Sequence, residues 1–226
     1  MDKSAIRDAA TIIVLRDRMT APAILMGQRG AGAAFMPGKF VFPGGAVDPV
    51  DATVTLAAPV PGADRLAQES ALTPQTLAAA AIRELWEETG HRLSTPGDWP
   101  DPPQGWRGFA THGHLPDPSG LQFVFRAVTP QGRPRRFDAR FFLVDADRLT
   151  TDPDDFSGAE DELAHLQWVP LDRARHFDLP FITEVVLAEI AARVTDPAPP
   201  PLVPFFRNDD EAHLVTRLGH AHPLGQ

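Results

Sequence analysis

The strongest constraint on this chain is the segment from Thr73 to Gly90. Thr73 is a favoured helix N-cap, and Pro74 suits the first helical position, where no backbone donor is needed. Leu77–Thr89 has high helix propensity, and Gly90 supplies a left-handed stop. Glu84, Glu87 and Glu88 recur at i, i+3 and i+4 and share one helix face. Ile82, Leu85 and Thr89 form a different face, fit to pack on a sheet. Like charges at this spacing repel, so the carboxylates are either solvated and balanced by Arg83 or gripped by something cationic. Mg²⁺ or Mn²⁺, hard and oxygen-seeking, is the natural match.

Composition narrows the classes of function. The 226 residues carry 30 acids against 21 bases, a net charge of −9. An acidic surface repels a phosphate backbone, so no nucleic-acid partner is expected. There is no cysteine, which excludes disulfides, thiolate metal sites, iron–sulfur clusters and a cysteine nucleophile. With 24 Pro and 17 Gly, long ordered loops and stiff connections are expected. The apolar run Ala9–Leu15 is too short to cross a bilayer and no cleavage site follows it, so neither a membrane span nor a signal peptide is expected. The C-terminal residues match no peroxisomal or lipid-anchor signal, and a soluble cytoplasmic protein is the expectation.

Along the chain, Ala9–Leu15 and Ala23–Met26 read as strands joined by a hairpin, and Gly27–Gly38 as a loop. Lys39–Phe42 is short and apolar and runs into Pro43-Gly44-Gly45. Val47–Leu72 is irregular, with weak helical signal near Ala63–Ser70. Ser94–Gly120 reads as a long loop with one short helix near Trp106–Thr111. Leu121–Val128 and Phe137–Val144 are strands linked at Gln131–Pro134. In the second, Phe137, Ala139, Phe141 and Leu143 fall on one face, with Arg136, Asp138 and Arg140 on the other. Leu166–Val169 is a short strand, Pro180–Val194 an amphipathic helix, and Asp196–Pro204 an extended proline-rich stretch. Strands and helices mix without regular βαβ alternation, which predicts an α/β or α+β fold with a mixed sheet.

The run Arg83-Glu84-Leu85-Trp86-Glu87-Glu88-Thr89-Gly90, with Gly45 upstream, resembles the Nudix box, G-x5-E-x7-R-E-U-x-E-E-x-G-U, where U is aliphatic. Gly45, Arg83, Glu84, Leu85, Glu87, Glu88 and Gly90 fill their places. The distance from Gly45 to Arg83 exceeds the pattern, so an insertion interrupts the box. The glutamate expected eight residues before Arg83 is Gln75, and His91 replaces the last aliphatic residue. The resemblance implies an α/β/α sandwich with a mixed central sheet. It places the hydrolase domain at 1–195, the insertion at about 47–72 and a proline-rich extension at 196–226.

An interrupted box is similar to the long Nudix hydrolases related to peroxisomal coenzyme A diphosphatases. The run from Phe35 to Gly45 is similar to that branch's F-M-P-G-x-x-V-F-P-G-G. Thr129-Pro130 followed by Arg135–Phe142 is similar to its T-P…R-R-F-D-T-x-F-F. Of its upstream coenzyme A motif, Leu25, Arg29, Gly38 and Phe42–Gly45 fit, whereas Met26, Gly27, Gly30 and Ala34 do not.

The resemblance implies hydrolysis of a diphosphate bond in a small nucleoside-diphosphate-linked molecule, coenzyme A or an acyl-coenzyme A first. ADP-ribose or a nucleotide sugar is the enzymatic alternative, and a non-catalytic ligand-sensing module the other class. It implies that Glu84, Glu87 and Glu88 hold Mg²⁺ or Mn²⁺ with Glu84 as ligand or base, and that Arg83 positions them. A later glutamate joins the metal or acts as base in this family; Glu160 and Glu162 stand in a suitable place, and Glu162 is taken as the ligand. Arg29, Gly44 and Gly45 are expected near a substrate phosphate, and Arg136, in a cluster with Arg133 and Arg135, near a second one. A solvated hairpin is the alternative for that cluster, and an Arg140–Asp138 cross-strand pair is also open. His112 with His114, and His220 with His222, lack a third ligand at telling spacing and are read as structural. Trp86 is read as packing. No G-x-S-x-G elbow supports serine hydrolase chemistry. A homodimer is compatible with all of this.

Overall fold

In the computed structural model the described residues are 5–209, except 34, 69 and 112, together with 212–217. His112, His220 and His222 lie outside them. Ala9–Leu15 is the middle of β1 (Ile6–Arg16), which runs parallel to β8 (Arg136–Asp145) along ten paired positions. A central strand is covered on both faces, and that is why this run is apolar without alternation. Ala10, Ile12 and Val14 join the core on one side of the sheet, and Ile13 and Leu15 the core on the other.

Among the described residues the sheet has nine strands in the order β11-β10-β7-β8-β1-β2-β3, with β4 pairing β1 and β9 pairing β2. The remaining members are β2 (Ala23–Arg29), β3 (Phe40–Val41), β4 (Gly44–Ala46), β7 (Gln122–Val128), β9 (Leu163–Pro170), β10 (Pro204–Asp209) and β11 (Ala212–Arg217). β1 with β8 and β10 with β7 are parallel, and the other pairings are antiparallel. The helix α2 (Pro74–Thr89) covers one face and α4 (Phe181–Ala192) the other. This is the expected α/β sandwich with a mixed sheet.

The caps of α2 behave as their residue types require. The Thr73 hydroxyl accepts from the Thr76 N–H at 3.2 Å, and Gly90 adopts φ +77°. Ala78, Ala79, Ala80 and Ala81 are all fully buried, and such small side chains let the helix axis lie close to the sheet.

Several stretches differ from expectation. β2 continues through Gly27–Arg29, and β9 begins at Leu163, because the two strands pair out to Arg29 and Leu163. Ser94–Gly120 contains, besides α3 (Arg107–Ala110), a small second sheet of β5 (Ser94–Pro96) and β6 (His114–Pro116). The proline-rich stretch leads into β10, which adds to the edge of the main sheet beside β7. The irregular region after Val47 holds a 3₁₀ turn at Pro49–Thr53 and the short α1 (Ala63–Leu66). Its Val54, Val60 and Leu66 enter the α2-side core, so this region completes the core instead of hanging from it. Among the described residues no helix is long and apolar enough to cross a membrane.

Candidate active site

Two glycines and one helix turn build the site. Gly44 and Gly45 sit on β4, which pairs with Ala10 and Thr11 of β1. A Cβ on Gly44 would lie 2.6 Å from the Thr11 Cα, and one on Gly45 would lie 2.5 Å from Glu84 Oε2. Only glycine lets β4 press against β1 on one side and the glutamate helix on the other. The Gly44 N–H then donates to Glu88 Oε2 at 2.7 Å. Glu88 is 2% exposed, and its second oxygen, Oε1, is buried with no hydrogen-bond partner. A buried carboxylate with an idle oxygen is costly and unusual.

Arg83 organises the other two glutamates. Its Nη1 donates to Glu84 Oε1 at 2.9 Å and to Glu87 Oε2 at 2.8 Å. Its opposite edge donates from Nε and Nη2 to the two oxygens of Asp51, at 2.9 and 3.0 Å, and Nη2 also donates to the Ala46 carbonyl. Asp51 is 1% exposed and is held in turn by the Asp48 N–H. Sequence reasoning sought the first box acid eight residues before Arg83 and found Gln75. In space that place belongs to Asp51. Counting forward from Gly45 instead of back from Arg83 would have found it, since Asp51 follows Gly45 by the five-residue spacer of the box. The departure from the box therefore begins after Asp51, later than Val47.

The fourth side of the site pairs Arg29, at the end of β2, with Glu162, which directly precedes β9. Arg29 Nη2 donates to Glu162 Oε1 at 2.8 Å, and Arg29 Nε is buried without a partner. Glu160 lies nearer the helix end, its N–H donating to the Glu87 carbonyl at 2.8 Å.

Electrostatics confirm how crowded the carboxylates are. Burial, opposed by Arg83 and helped by repulsion from Glu87 and Glu162, pushes Glu84 up to about 7. Burial also raises Glu87, against the pull of Arg83. Glu88 is pushed well above the usual carboxylate range by burial and by Glu84, with the Gly44 N–H and Arg29 pulling the other way. Burial works against the charge of Arg83, but Asp51, Glu84 and Glu87 outweigh it and hold the guanidinium above its ordinary range. Three crowded carboxylates, one with an idle buried oxygen, form a hard oxygen donor set that fits a divalent cation. Among the described residues no three acidic or histidine side chains already stand as a finished ligand set.

Arg136 stands apart from the glutamates. It pairs with Ile6, four residues along β1 from Ala10, where Gly45 pairs, and its Nε donates to the Thr129 carbonyl. Arg133 and Arg135 are exposed. Arg140 is 1% exposed and bonds Asp8 and the Asp138 carbonyl, while Asp138 takes two bonds from Arg126. The basic-looking strand is thus an internal ion-pair network, closed by Ser70 from the insertion. His114 shares a hydrogen bond with Ser94.

The chain matches the NUDIX domain over residues 5–190. It belongs to the NUDIX family. A Caenorhabditis elegans relative named as a nudix hydrolase 7 is 29% identical over 189 residues, 74% of this chain and 52% of its own length. The chain thus spans about half of that curated relative. A NUDIX hydrolase from Alicyclobacillus acidocaldarius has a similar structure, with 28% identity, 88% of this chain and 99% of that one covered, and a TM-score of 0.64. The NUDIX domain of Shewanella oneidensis NrtR, crystallised with ADP ribose, shares the fold at 12% identity and a TM-score of 0.50, over 84% of this chain and 89% of its own.

Proposed function

We propose that this NUDIX protein hydrolyses a diphosphate bond in a small nucleoside-diphosphate-linked molecule, with a divalent cation held by Glu84, Glu87 and Glu88. The observation that carries this is Glu88: a buried carboxylate anchored through one oxygen to Gly44, with the other oxygen unpartnered. Intact box glutamates speak against a module that only senses ligand. Mg²⁺ or Mn²⁺, when bound, supplies neutralisation of the diphosphate and a more acidic water.

The chain's own residues do the rest. Arg83, fixed by Asp51, keeps the Glu84 and Glu87 carboxylates in place. Glu84, held by Arg83 beside Glu87, is either a further ligand or the base that takes the proton of the attacking water. Glu162 serves as a further ligand, steadied by Arg29, whose guanidinium charge favours a phosphoryl group nearby. Gly44 and Gly45 let β4 lie against Thr11 and Glu84, which holds the glutamates at the backbone.

Coenzyme A or an acyl-coenzyme A is the substrate favoured by the Phe35–Gly45 and Arg135–Phe142 stretches. Incubation of the protein with coenzyme A, acetyl-coenzyme A and ADP-ribose, in Mg²⁺ or Mn²⁺, with identification of the products, tests this. Cleavage at the diphosphate is expected. Failure to cleave any of the three with either metal would overturn the assignment.

A further inference from the structure

The pairing of β2 with β9 has one irregularity, two residues short of Arg29. Ala23 to Met26 face Pro170 to Gln167 in register, but Gln28 faces Ala164 and Arg29 faces Leu163. Gly27 alone therefore stands against both His165 and Leu166, which is a β-bulge. His165 is exposed on the bulge and takes φ +52°, a left-handed conformation uncommon for a residue with a side chain. Its carbonyl accepts from Gln167 Nε2 at 3.3 Å. We propose that Gly27 is a positioning residue for the reaction: the bulge that folds onto it carries Glu162 to Arg29 at the edge of the glutamate cluster. This inference rests on Glu162 being the further cation ligand proposed above.

The bulge shifts the start of β9 by one residue. Continued in the register of Met26 with Gln167, the ladder would set Ala164 opposite Arg29 and leave Glu162 two residues further along. With the extra residue absorbed, Leu163 stands opposite Arg29 and Glu162 comes next in the chain, where its Oε1 accepts from Arg29 Nη2 at 2.8 Å. A one-residue slip also turns each side chain to the other face. Leu163 is accordingly buried and Ala164 exposed. Glu162 is close enough for its charge to act on both Glu84 and Glu88.

Glycine is what admits this fold. A Cβ on Gly27 would lie 2.9 Å from Leu163 Cβ and 2.9 Å from Leu166 Cδ2. The Leu166 methyl can turn away, but Leu163 Cβ is fixed to the backbone beside Glu162. Carbon atoms pack at about 3.5–4.0 Å, so the added methyl would push the start of β9 outward by roughly 1 Å, and Glu162 with it. A displacement of about that size is enough to spoil a ligand set or a reacting geometry. Gly27 is also one of the positions at which the chain departs from the coenzyme A motif, and the bulge gives that departure a physical reason.

Titration calorimetry with Mn²⁺, run beside turnover of coenzyme A and ADP-ribose, tests this. The variants are Gly27→Ala and His165→Val, each alone and combined with Glu162→Gln, and Glu162→Gln by itself. His165→Val changes an exposed side chain and disturbs the bulge because a β-branched residue resists positive φ. Gly27→Ala decides where it folds, and His165→Val decides where it does not. The deciding variant should weaken Mn²⁺ binding roughly tenfold, as the loss of a group that orients a ligand does. In the Glu162→Gln background it should add less than about twofold, since both changes act through one carboxylate. Mn²⁺ affinity equal to wild type overturns the proposal, and so does a loss that adds in full to that of Glu162→Gln, which marks a structural role only. A Glu162→Gln protein that binds Mn²⁺ as wild type does, or a wild type that binds none, overturns it as well. A wild type that binds Mn²⁺ yet cleaves neither substrate refutes the hydrolase function, and the calorimetry still decides the role of Gly27.

Discussion

Asp51 and Arg83, 32 residues apart in sequence, meet in a two-bonded buried ion pair at 2.9 and 3.0 Å. The free edge of the same guanidinium reaches Glu84 and Glu87. One aspartate therefore sets the orientation of two glutamates it does not touch. Asp51→Ala should leave Arg83 buried and half-paired, costing about 3–5 kcal/mol of stability, the usual loss when one partner of a buried pair is removed. Thermal melting and turnover should fall together. Unaltered turnover in a folded Asp51→Ala protein would refute the positioning role.

Glu88→Gln should separate chemistry from folding. The amide oxygen can still accept from Gly44, and a buried acid is removed. Turnover should drop by roughly 100-fold or more, as expected for a lost metal ligand. The melting temperature at pH 8 should stay level or rise.

The raised glutamates also set the sign of a pH effect. Their folded pKa values lie above the unfolded ones, so the folded state binds protons more tightly. Their contribution to stability is present at low pH and is lost as pH rises from the ordinary carboxylate range through about 7 for Glu84. A divalent cation competes with those protons, so the metal-induced rise in melting temperature should grow from pH 5 to pH 8. Melting curves with Mg²⁺ and with a chelator, across pH, check this. A metal increment independent of pH would contradict it.

His91 acts in the opposite direction. It is fully buried, its Nδ1 lies 3.2 Å from Thr151 Oγ1, and its Nε2 has no partner. Burial lowers its pKa despite the nearby charges of Asp155, Asp152 and Asp154. A lowered folded pKa means stability present above about pH 6.5 and lost as pH falls through the folded value. His91→Leu restores the aliphatic residue of the box and should flatten that acid-side loss. Comparing melting temperatures of the two proteins at pH 8 and pH 5 measures it, the difference in favour of His91→Leu being larger at pH 5.

Local information carried much of this protein. The cap residues Thr73 and Gly90 bound α2 because each acts within one helix turn, and the i, i+3, i+4 spacing of the glutamates is a property of the helix itself. The apolar run of β1 and the glycine pair after Phe42 were equally visible, since burial on two faces and close backbone approach leave direct marks on residue type. What stayed hidden depends on contacts distant in sequence. Asp51 looked like one acid among many in an irregular stretch, and only the folding of that stretch against α2 made it the partner of Arg83. Arg140 and Asp138 do form an ion pair, at 3.3 Å, but Ser70 and Asp8, distant in sequence, are what close over Arg140. Arg29 and Glu162 become neighbours through the pairing of β2 with β9, and the register of β8 on β1 sets Arg136 apart from the glutamates. Sequence determines which groups a helix turn presents, because that geometry repeats every few residues; the tertiary structure alone decides which charges are buried together, because ion pairing across the chain has no local period.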